Sequence, residues 1–150
     1  MSAFMLIRPA VHSDLEQLAV LLDLYRQFYE KKADLDNARA FLRERMENKE
    51  SVIFVAEKDG KLCGFTQLYP LFSSTMLKKQ WVLNDLYVRM EERKTGAGEK
   101  LMRAAMEFGI RDNSRGLTLQ TAVTNKNAQR LYEKLGWKKN ETFLTYNFYP

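Results

Sequence analysis

Residues 84–101 read NDLYVRMEERKTGAGEKL, which predicts a β-strand, a glycine turn and a helix in direct succession. Gly96 and Gly98 allow positive φ and a close approach of a ligand to backbone N–H groups. The helix, expected from about Ala97 to Ile110, begins with free N–H groups, and no Ser, Asp or Asn side chain stands there to cap it. An anion bound at this helix end is a physical reason for the missing cap. A plain tight turn explains the same glycines, so this segment alone leaves both interpretations open.

Other glycine-rich nucleotide motifs fit the turn less well. A Walker A loop needs Gly-x4-Gly-Lys-Ser/Thr, and neither glycine has that spacing. A dinucleotide fingerprint needs a third Gly or Ala three positions after Gly98, where Leu101 stands. The turn therefore predicts an anion site of another class.

The composition predicts one globular domain over residues 1–150, since 45% of the chain is hydrophobic and 29% is charged. Cys63 is the only cysteine and His12 the only histidine, so no intrachain disulfide can form and we expect no metal site. No signal peptide and no membrane-length apolar run is evident, so we expect a cytoplasmic protein without membrane contacts. The net charge of +5 permits an anionic partner, but the basic residues are scattered among acids.

Hydrophobic periodicity and turn signals predict the order β-α-α-β-β-β-α-β-α-β. An antiparallel meander followed by a β-α-β unit implies a mixed sheet with helices on both faces. Asp59-Gly60 is a strong hairpin signal, and Ser13-Asp14 offers a helix cap. The predicted strands are Phe4–Arg8, Ser51–Glu57, Lys61–Tyr69 (ended by Pro70), Trp81–Val88, Leu117–Val123 and Thr142–Tyr149; the other predicted helices start at Leu15 and span Asp34–Met46 and Asn125–Leu135.

A second segment follows about thirty residues after the turn: residues 125–137 read NKNAQRLYEKLGW. With the Arg93-x-x-Gly96-x-Gly98 turn, this segment resembles the two motifs of the GNAT superfamily of N-acetyltransferases, in the family's order. Asn84 to Val88 looks most like the diamine (polyamine) acetyltransferase branch. The resemblance implies an α/β fold with a mixed, mostly antiparallel sheet of six to seven strands, flanked by four helices and splayed at the cofactor site.

The same resemblance implies that acetyl-CoA is the cofactor. Its pantetheine arm would pair with the strand end and contact the start of the last helix, and its pyrophosphate would lie on the turn amides. The residues implied for the cofactor are Leu86, Tyr87, Val88, Arg93, Lys94, Thr95, Gly96, Ala97, Gly98, Glu99, Asn125 and Ala128.

Tyr132 matches the family's general acid, which protonates the departing thiolate. A phenol holds its proton at neutral pH and can donate it. Tyr132 also belongs to an apolar stripe with Leu131 and Leu135, so a core role is the alternative. Asp85 is the nearest carboxylate candidate for the general base or for an amine anchor, and a strand-edge Asp bonded to backbone is the alternative. Glu30 and Glu57 are weaker candidates.

The resemblance predicts acetyl transfer to a primary amine of a small molecule, polyamine-like or an amino sugar, by direct attack in a ternary complex, with a homodimer as the expected assembly. Tyr29, Tyr69, Asn84 and Asp85 are the residues expected to bind the acceptor, with Phe72 and Trp81 as further candidate walls. The alternatives are a protein N-terminal or lysine acetyltransferase and a non-catalytic acetyl-CoA-binding module. A nucleic-acid binder is disfavoured because the chain carries no groove-reading motif.

Overall fold

The computed structural model describes residues 4–150 and has the architecture of a mixed α/β sheet. The strands are β1 (Met5–Pro9), β2 (Val52–Lys58), β3 (Lys61–Ser73), β4 (Lys78–Val88) and β5 (Leu117–Thr118). The helices are α1 (Leu15–Phe28), α2 (Leu35–Glu47), α3 (Ala97–Arg111) and α4 (Lys126–Lys134), with short 3-10 helices at His12–Asp14 and Met90–Glu92. The mixed sheet and the four helices confirm the predicted fold class.

The sheet has the order β1-β2-β3-β4-β5, which is sequential along the chain. Neighbouring strands from β1 to β4 are antiparallel, whereas β5 lies parallel to β4. The predicted hairpin between β2 and β3 is confirmed, since Asp59 (φ 54°) and Gly60 (φ 75°) both have the positive φ of a type I′ turn.

The predicted count of six to seven strands is wrong, because the described residues form five. The C-terminal segment 142–149 is not a strand, and its side chains are exposed. β5 ends at Thr118 rather than Val123. An alternating or β-branched pattern gives a strand only where a neighbouring edge pairs its N–H and C=O groups, and that partner is not encoded in the pattern itself.

The predicted end of β3 at Pro70 is also wrong, since β3 continues to Ser73 and forms a long ribbon with β4. A proline removes a ladder hydrogen bond and is therefore tolerated only at an edge. The pairing of β2 with β3 stops at Leu68, so the segment around Pro70 has a neighbour on one side alone. The segment from Leu71 to Lys79, which lies between two predicted strands, therefore forms the end of β3, the start of β4 and the turn that joins them.

Two apolar layers cover the sheet, one on each face. On the first face, α1 and α2 pack on Val55 and Phe65, with Leu18, Leu21 and Leu42 fully buried. On the other face, the Phe108 ring of α3 packs against Phe54 (6.0 Å between ring centroids) and Trp81 (5.0 Å). Further buried members on the α3 side are Ala97, Leu101, Met102 and Ala105.

A β-bulge at Asn84 decides which face receives Asp85. Gln67 pairs with Asp85 and Leu68 pairs with Leu83, so Asn84 has no partner opposite it. Paired residues share a face and successive residues alternate. The bulge therefore places Asp85 with Gln67 on the α1/α2 face and leaves Leu83 on the α3 face.

The described chain divides into two compact units, one ending at Leu119 and the other spanning Gln120–Pro150. The first contains the sheet and α1–α3, and the second contains α4. The helices described here are all too short or too polar to cross a membrane.

The predicted cap at the start of α1 has a different geometry from the one expected. Asp14 precedes α1, but its carboxylate accepts hydrogen bonds from the Val11 N–H (2.7 Å) and from Arg8 (2.8 and 2.9 Å). Arg8 also donates to Glu57 of β2 at 2.9 Å. The buried Asp14 carboxylate therefore joins β1 to the first helix rather than capping α1.

We expect Asp14→Asn to lower stability in a pH-dependent way. The hydrogen bonds from Arg8 lower the pKa of Asp14, so its contribution is present above the unfolded-state pKa and is lost as pH falls through the folded-state pKa. The substitution should cost about 1–3 kcal/mol at pH 7. The measurement is urea unfolding at pH 7 and at acid pH: the difference from wild type should shrink at acid pH, and a constant difference contradicts this account.

Gly64→Ala should destabilise the β3–β4 pairing. A Cβ at Gly64 would lie 2.8 Å from the Tyr87 carbonyl oxygen, closer than real Cβ contacts allow. We expect a loss of about 1–3 kcal/mol in the free energy of unfolding, the usual cost of overpacking. Gly98→Ala is the matched control, because the added Cβ meets only Val88 at 3.9 Å and alanine favours a helix. Equal unfolding midpoints for both variants would contradict the close-approach argument.

Candidate active site

Asp85 is a buried carboxylate held by two side-chain amides. Gln67 Nε2 donates to its Oδ2 at 2.9 Å, and Asn84 Nδ2 donates to its Oδ1 at 3.1 Å. Burial raises the pKa of Asp85, and the two amide hydrogen bonds oppose that rise. Its backbone carbonyl accepts from the Thr66 hydroxyl at 2.8 Å. Asp85 is therefore a carboxylate of increased basicity in a fixed orientation, and its side chain is not simply bonded to backbone.

Tyr69 lies on the same sheet face, two residues after Gln67 on β3. Burial, and then the charge of Asp85, raise the pKa of Tyr69 to about 12, against a hydrogen bond with Gln67. The phenol is therefore neutral over the whole physiological range. Three of the four residues expected to bind the acceptor, Tyr69, Asn84 and Asp85, thus meet around Gln67.

At the end of β4 next to the glycine turn, Leu86 and Val88 direct backbone groups away from β3. The Arg89 N–H donates to the Cys63 carbonyl of β3 at 2.8 Å. Because hydrogen bonding alternates along an antiparallel strand, Tyr87 also faces β3, whereas Leu86 and Val88 face the opposite edge. β5 pairs only with Trp81 and Val82, so no described strand pairs with that edge beyond Val82. Leu86 therefore presents its N–H and carbonyl to an extended ligand, and Val88 presents its N–H, since the Val88 carbonyl accepts from Arg93 Nε.

The glycine turn has the conformation that an anion site needs. Lys94 (φ 67°) and Gly96 (φ 85°) are both left-handed, and Gly96 is the N-cap of α3 without a side-chain cap hydrogen bond. Thr95 Oγ1 donates to the Glu92 carbonyl at 2.6 Å, which fixes the turn internally. Ala97 is buried, whereas Arg93 to Gly96 are exposed. Glu99 bonds Arg103 at 3.3 Å, so the turn offers its backbone N–H groups rather than this side chain.

The Arg93 side chain connects this turn to α1. Its Nε donates to the Val88 carbonyl at 3.0 Å, and its guanidinium lies 5.3 Å from the Phe28 ring centroid and 5.7 Å from that of Tyr87. Tyr25 stacks edge-to-face on both Tyr87 (5.9 Å) and Tyr29 (5.1 Å). The cation–π contacts therefore hold the turn against the aromatic end of α1.

The other candidate walls and bases lie elsewhere. Tyr29 is more than half exposed at the end of α1, next to Tyr25. Trp81 is buried on the α3 face, where its Nε1 donates to Asp112 at 2.8 Å, and Phe72 is exposed on the outer ribbon. Glu57 is bonded to Arg8. The geometry thus favours Asp85 among the carboxylate candidates.

In the second unit, Asn125 caps α4 by accepting from the Ala128 N–H at 3.2 Å. Tyr132 is half-buried, and its ring lies 6.3 Å from that of Trp137. Gly136 follows α4 with φ 93°, which confirms it as the helix stop. The second sequence segment therefore forms the helix and cap that its pattern predicted.

Gln67 and Ser51 were missed in the sequence. Gln67 is fully buried, and its Oε1 accepts from the Ser51 hydroxyl at 2.7 Å. A polar Gln inside the apolar run of β3 is a signal, because a buried amide needs partners. The sequence spacing did not disclose that those partners come from β4 and from the residue before β2.

Comparisons with known proteins agree with this fold. The model of the acetyltransferase (GNAT) family matches residues 18–137. An uncharacterized N-acetyltransferase, YhfO of Bacillus subtilis, is 45% identical over 140 residues, covering 93% of this chain and 94% of its own. A probable acetyltransferase of Haemophilus influenzae is 31% identical over 128 residues (85% and 86%).

Among solved structures, the crystal structure of a probable acetyltransferase superposes with a TM-score of 0.92 at 36% identity and covers 97% of both chains. Acetyl-CoA is the usual cofactor of this fold family, and the free β4 edge and the uncapped helix end fit its amide groups and its pyrophosphate. The chain therefore belongs to the acetyltransferase (GNAT) family and is an N-acetyltransferase with acetyl-CoA as its cofactor.

Proposed function

We propose that this enzyme acetylates a primary amine of a small molecule, polyamine-like or an amino sugar, by direct attack in a ternary complex. The observation that carries the proposal is the buried Asp85 carboxylate, placed one residue from the free edge of β4 at Leu86. A carboxylate of raised pKa beside a neutral phenol suits both the attraction of a cationic amine and the removal of its proton.

Backbone groups would hold the cofactor in this proposal. Leu86 and Val88 pair with the amides of the pantetheine arm, and the N–H groups from Arg93 to Gly98 bind the pyrophosphate. When bound, the cofactor supplies the activated acetyl thioester. A strand amide near Leu86 polarises the acetyl carbonyl, an effect that preorganised N–H donors produce without reorganisation. Arg93 keeps the turn in place through its contacts with Phe28 and Tyr87.

Asp85 acts as the general base. An alkylamine arrives mostly as ammonium at neutral pH, and it attacks only after losing a proton. The N–H bond of the ammonium breaks, its electron pair stays on nitrogen, and the proton moves to the Asp85 carboxylate. Burial makes this carboxylate a better acceptor than an exposed aspartate, because the charged form is less well solvated.

Tyr132 acts as the general acid for the departing thiolate. Its position in the Leu131-Tyr132 pair of the second motif supports this assignment, as does the ordered α4 that carries it. Asn125 and Ala128 lie at the start of the same helix and complete the cofactor-binding set. The homodimer and the cytoplasmic location expected from the sequence stay predictions.

One comparison favours a second candidate acceptor. A putative ribosomal protein bS18-alanine N-acetyltransferase of Bacillus subtilis is 31% identical over 97 residues, covering 65% of this chain and 60% of its own. A protein N-terminus presents a primary amine, as the small acceptors do. A peptide beginning with alanine therefore belongs in the panel of acceptors.

The function is tested by thiol release from acetyl-CoA across a panel of polyamines, amino sugars and an alanine-initiated peptide. We expect turnover with at least one small amine and a loss of about 10²–10⁴ in kcat/KM for Asp85→Asn, the usual range for a general base. Asn84→Asp is the matched variant, since it adds a carboxylate at the exposed bulge position. Tight acetyl-CoA binding without turnover of any small amine would refute the proposed acceptor class.

Asp85→Asn should not lose activity by unfolding. Because burial raises the pKa of Asp85 in the folded state, ionisation lowers stability as pH rises through the window above the unfolded-state value. Removing the charge should therefore offset the loss of one of the two amide hydrogen bonds at pH 7–8, so the melting temperature should stay close to that of the wild type. A circular dichroism melt checks this alongside each rate.

Tyr132→Phe should lower kcat about 100-fold and leave the KM for acetyl-CoA little changed, because the lost hydroxyl acts on the leaving group. Leu131→Met is the control for packing on the same helix, since it keeps the apolar volume. An unchanged kcat in Tyr132→Phe removes the acid role and returns Tyr132 to the core interpretation.

A further inference from the structure

Gln67 bonds at both ends of its amide, although it lies wholly inside the sheet. Its Oε1 accepts from the Ser51 hydroxyl at 2.7 Å, and its Nε2 donates to Asp85 Oδ2 at 2.9 Å. A buried amide with every group satisfied has one orientation, because each alternative leaves a polar atom without a partner.

The direction of this hydrogen-bond chain is fixed by chemistry. An ionised carboxylate only accepts, so the amide nitrogen of Gln67 must face Asp85. The amide oxygen then faces Ser51, whose hydroxyl donates to it. Ser51, immediately before β2, thus anchors the oxygen end of the Gln67 amide, and Gln67 in turn fixes the plane of the Asp85 carboxylate.

The two oxygens of Asp85 are not equivalent as a result. Oδ2 lies against the buried amide of Gln67, whereas the partner of Oδ1 is Asn84, which is exposed at the bulge. Oδ1 is therefore the oxygen that a ligand reaches from solvent, and Oδ2 is the oxygen through which the carboxylate is held.

We propose that Gln67 is a positioning residue for proton transfer, holding Asp85 by Oδ2, with Ser51 behind it, so that Oδ1 receives the proton of the acceptor amine. This inference rests on the proposed role of Asp85 as the base. The N–H bond of the ammonium breaks and an O–H bond forms at Oδ1. Gln67 and Ser51 stay neutral, and neither exchanges a proton.

The titratable and charged groups nearest to Asp85 come from β3, β4, α1 and the end of α2. On β3, Tyr69 has a pKa of about 12, and Arg45 and Glu50, from α2 and the segment after it, act on Tyr69. Tyr25 of α1 and Tyr87 of β4 stack on one another on the same sheet face. No charged side chain contributes to the raised pKa of Asp85, whose causes are burial and the two amides. Carbon-13 NMR of the Asp85 carboxyl, described below, reads this group directly and identifies whether the acid limb of the activity profile reports Asp85.

The test is the pH dependence of kcat/KM for the best amine in Gln67→Met. Methionine keeps the length and volume of the side chain but removes the hydrogen bond that favours the ionised carboxylate. We expect the acid limb to move up by about one pH unit, with kcat at pH 7 about 10-fold lower and the KM for acetyl-CoA unchanged. Ser51→Ala should also move the acid limb of the pH profile upward, by less than Gln67→Met does. Ser51→Thr keeps the hydroxyl, so its acid limb should lie where that of the wild type lies.

Thr66→Val is the matched control, because it removes a fully buried hydrogen bond of 2.8 Å to the backbone of Asp85 and leaves the carboxylate untouched. It should lower the melting temperature and leave the acid limb in place. If Gln67→Met loses activity while its acid limb stays in place, as the acid limb of Thr66→Val should, Gln67 is merely structural.

Carbon-13 NMR titration of the Asp85 carboxyl separates this inference from the proposed function. The pKa of Asp85 should rise in Gln67→Met relative to wild type, whether or not an amine is turned over. A raised pKa with full activity in Asp85→Asn would disprove the base role and leave Gln67 as a carboxylate anchor only. An unchanged pKa in an active enzyme would overturn the positioning role while the proposed function stands.

Discussion

The pairing of β3 with β4, interrupted by one bulge, is the constraint on which the rest of the site depends. A one-residue shift in register moves every following side chain to the other face of the sheet. Asn84 absorbs that shift, so Asp85 joins Gln67 under α1 and α2 instead of joining Trp81 under α3. The same pairing leaves Leu86 and Val88 with backbone groups directed away from β3. The bulge thus places a buried carboxylate one residue from a free strand edge.

The glycine turn and the Arg93 side chain connect the end of β4 to the start of α3. A helix N-terminus without a side-chain cap exposes N–H groups and the positive end of the helix dipole, and Gly96 supplies the left-handed residue that turns them toward a ligand. Arg93 contributes through its side chain as well as its backbone. It bonds the Val88 carbonyl and lies over Phe28 and Tyr87, so the turn, the free edge and the end of α1 are mechanically linked.

Burial raises the pKa of both titratable groups at the site, Asp85 and Tyr69, but the consequence for proton transfer differs between them. It raises the pKa of Asp85 and makes it a stronger proton acceptor, while it raises the pKa of Tyr69 and keeps that phenol neutral. The ionised carboxylate is tolerated because two amides donate to it. In the proposed function, such a site attracts a cationic amine by charge and then removes a proton from it.

The sequence by itself determined the family, the cofactor and most elements, because those depend on local patterns. The Gly96-Ala97-Gly98 turn, the α4 helix with its Asn125 cap and the Asp59-Gly60 hairpin carry their conformations in neighbouring residues. The number of strands was decided elsewhere, since segment 142–149 has a β pattern but no strand, and Pro70 lies inside β3. The face of Asp85, the bonds of Gln67 to Ser51 and the docking of Arg93 on Phe28 were also left to the tertiary structure. Each of them joins residues that are distant in the chain, and such contacts depend on register and on the bulge, which no local pattern specifies.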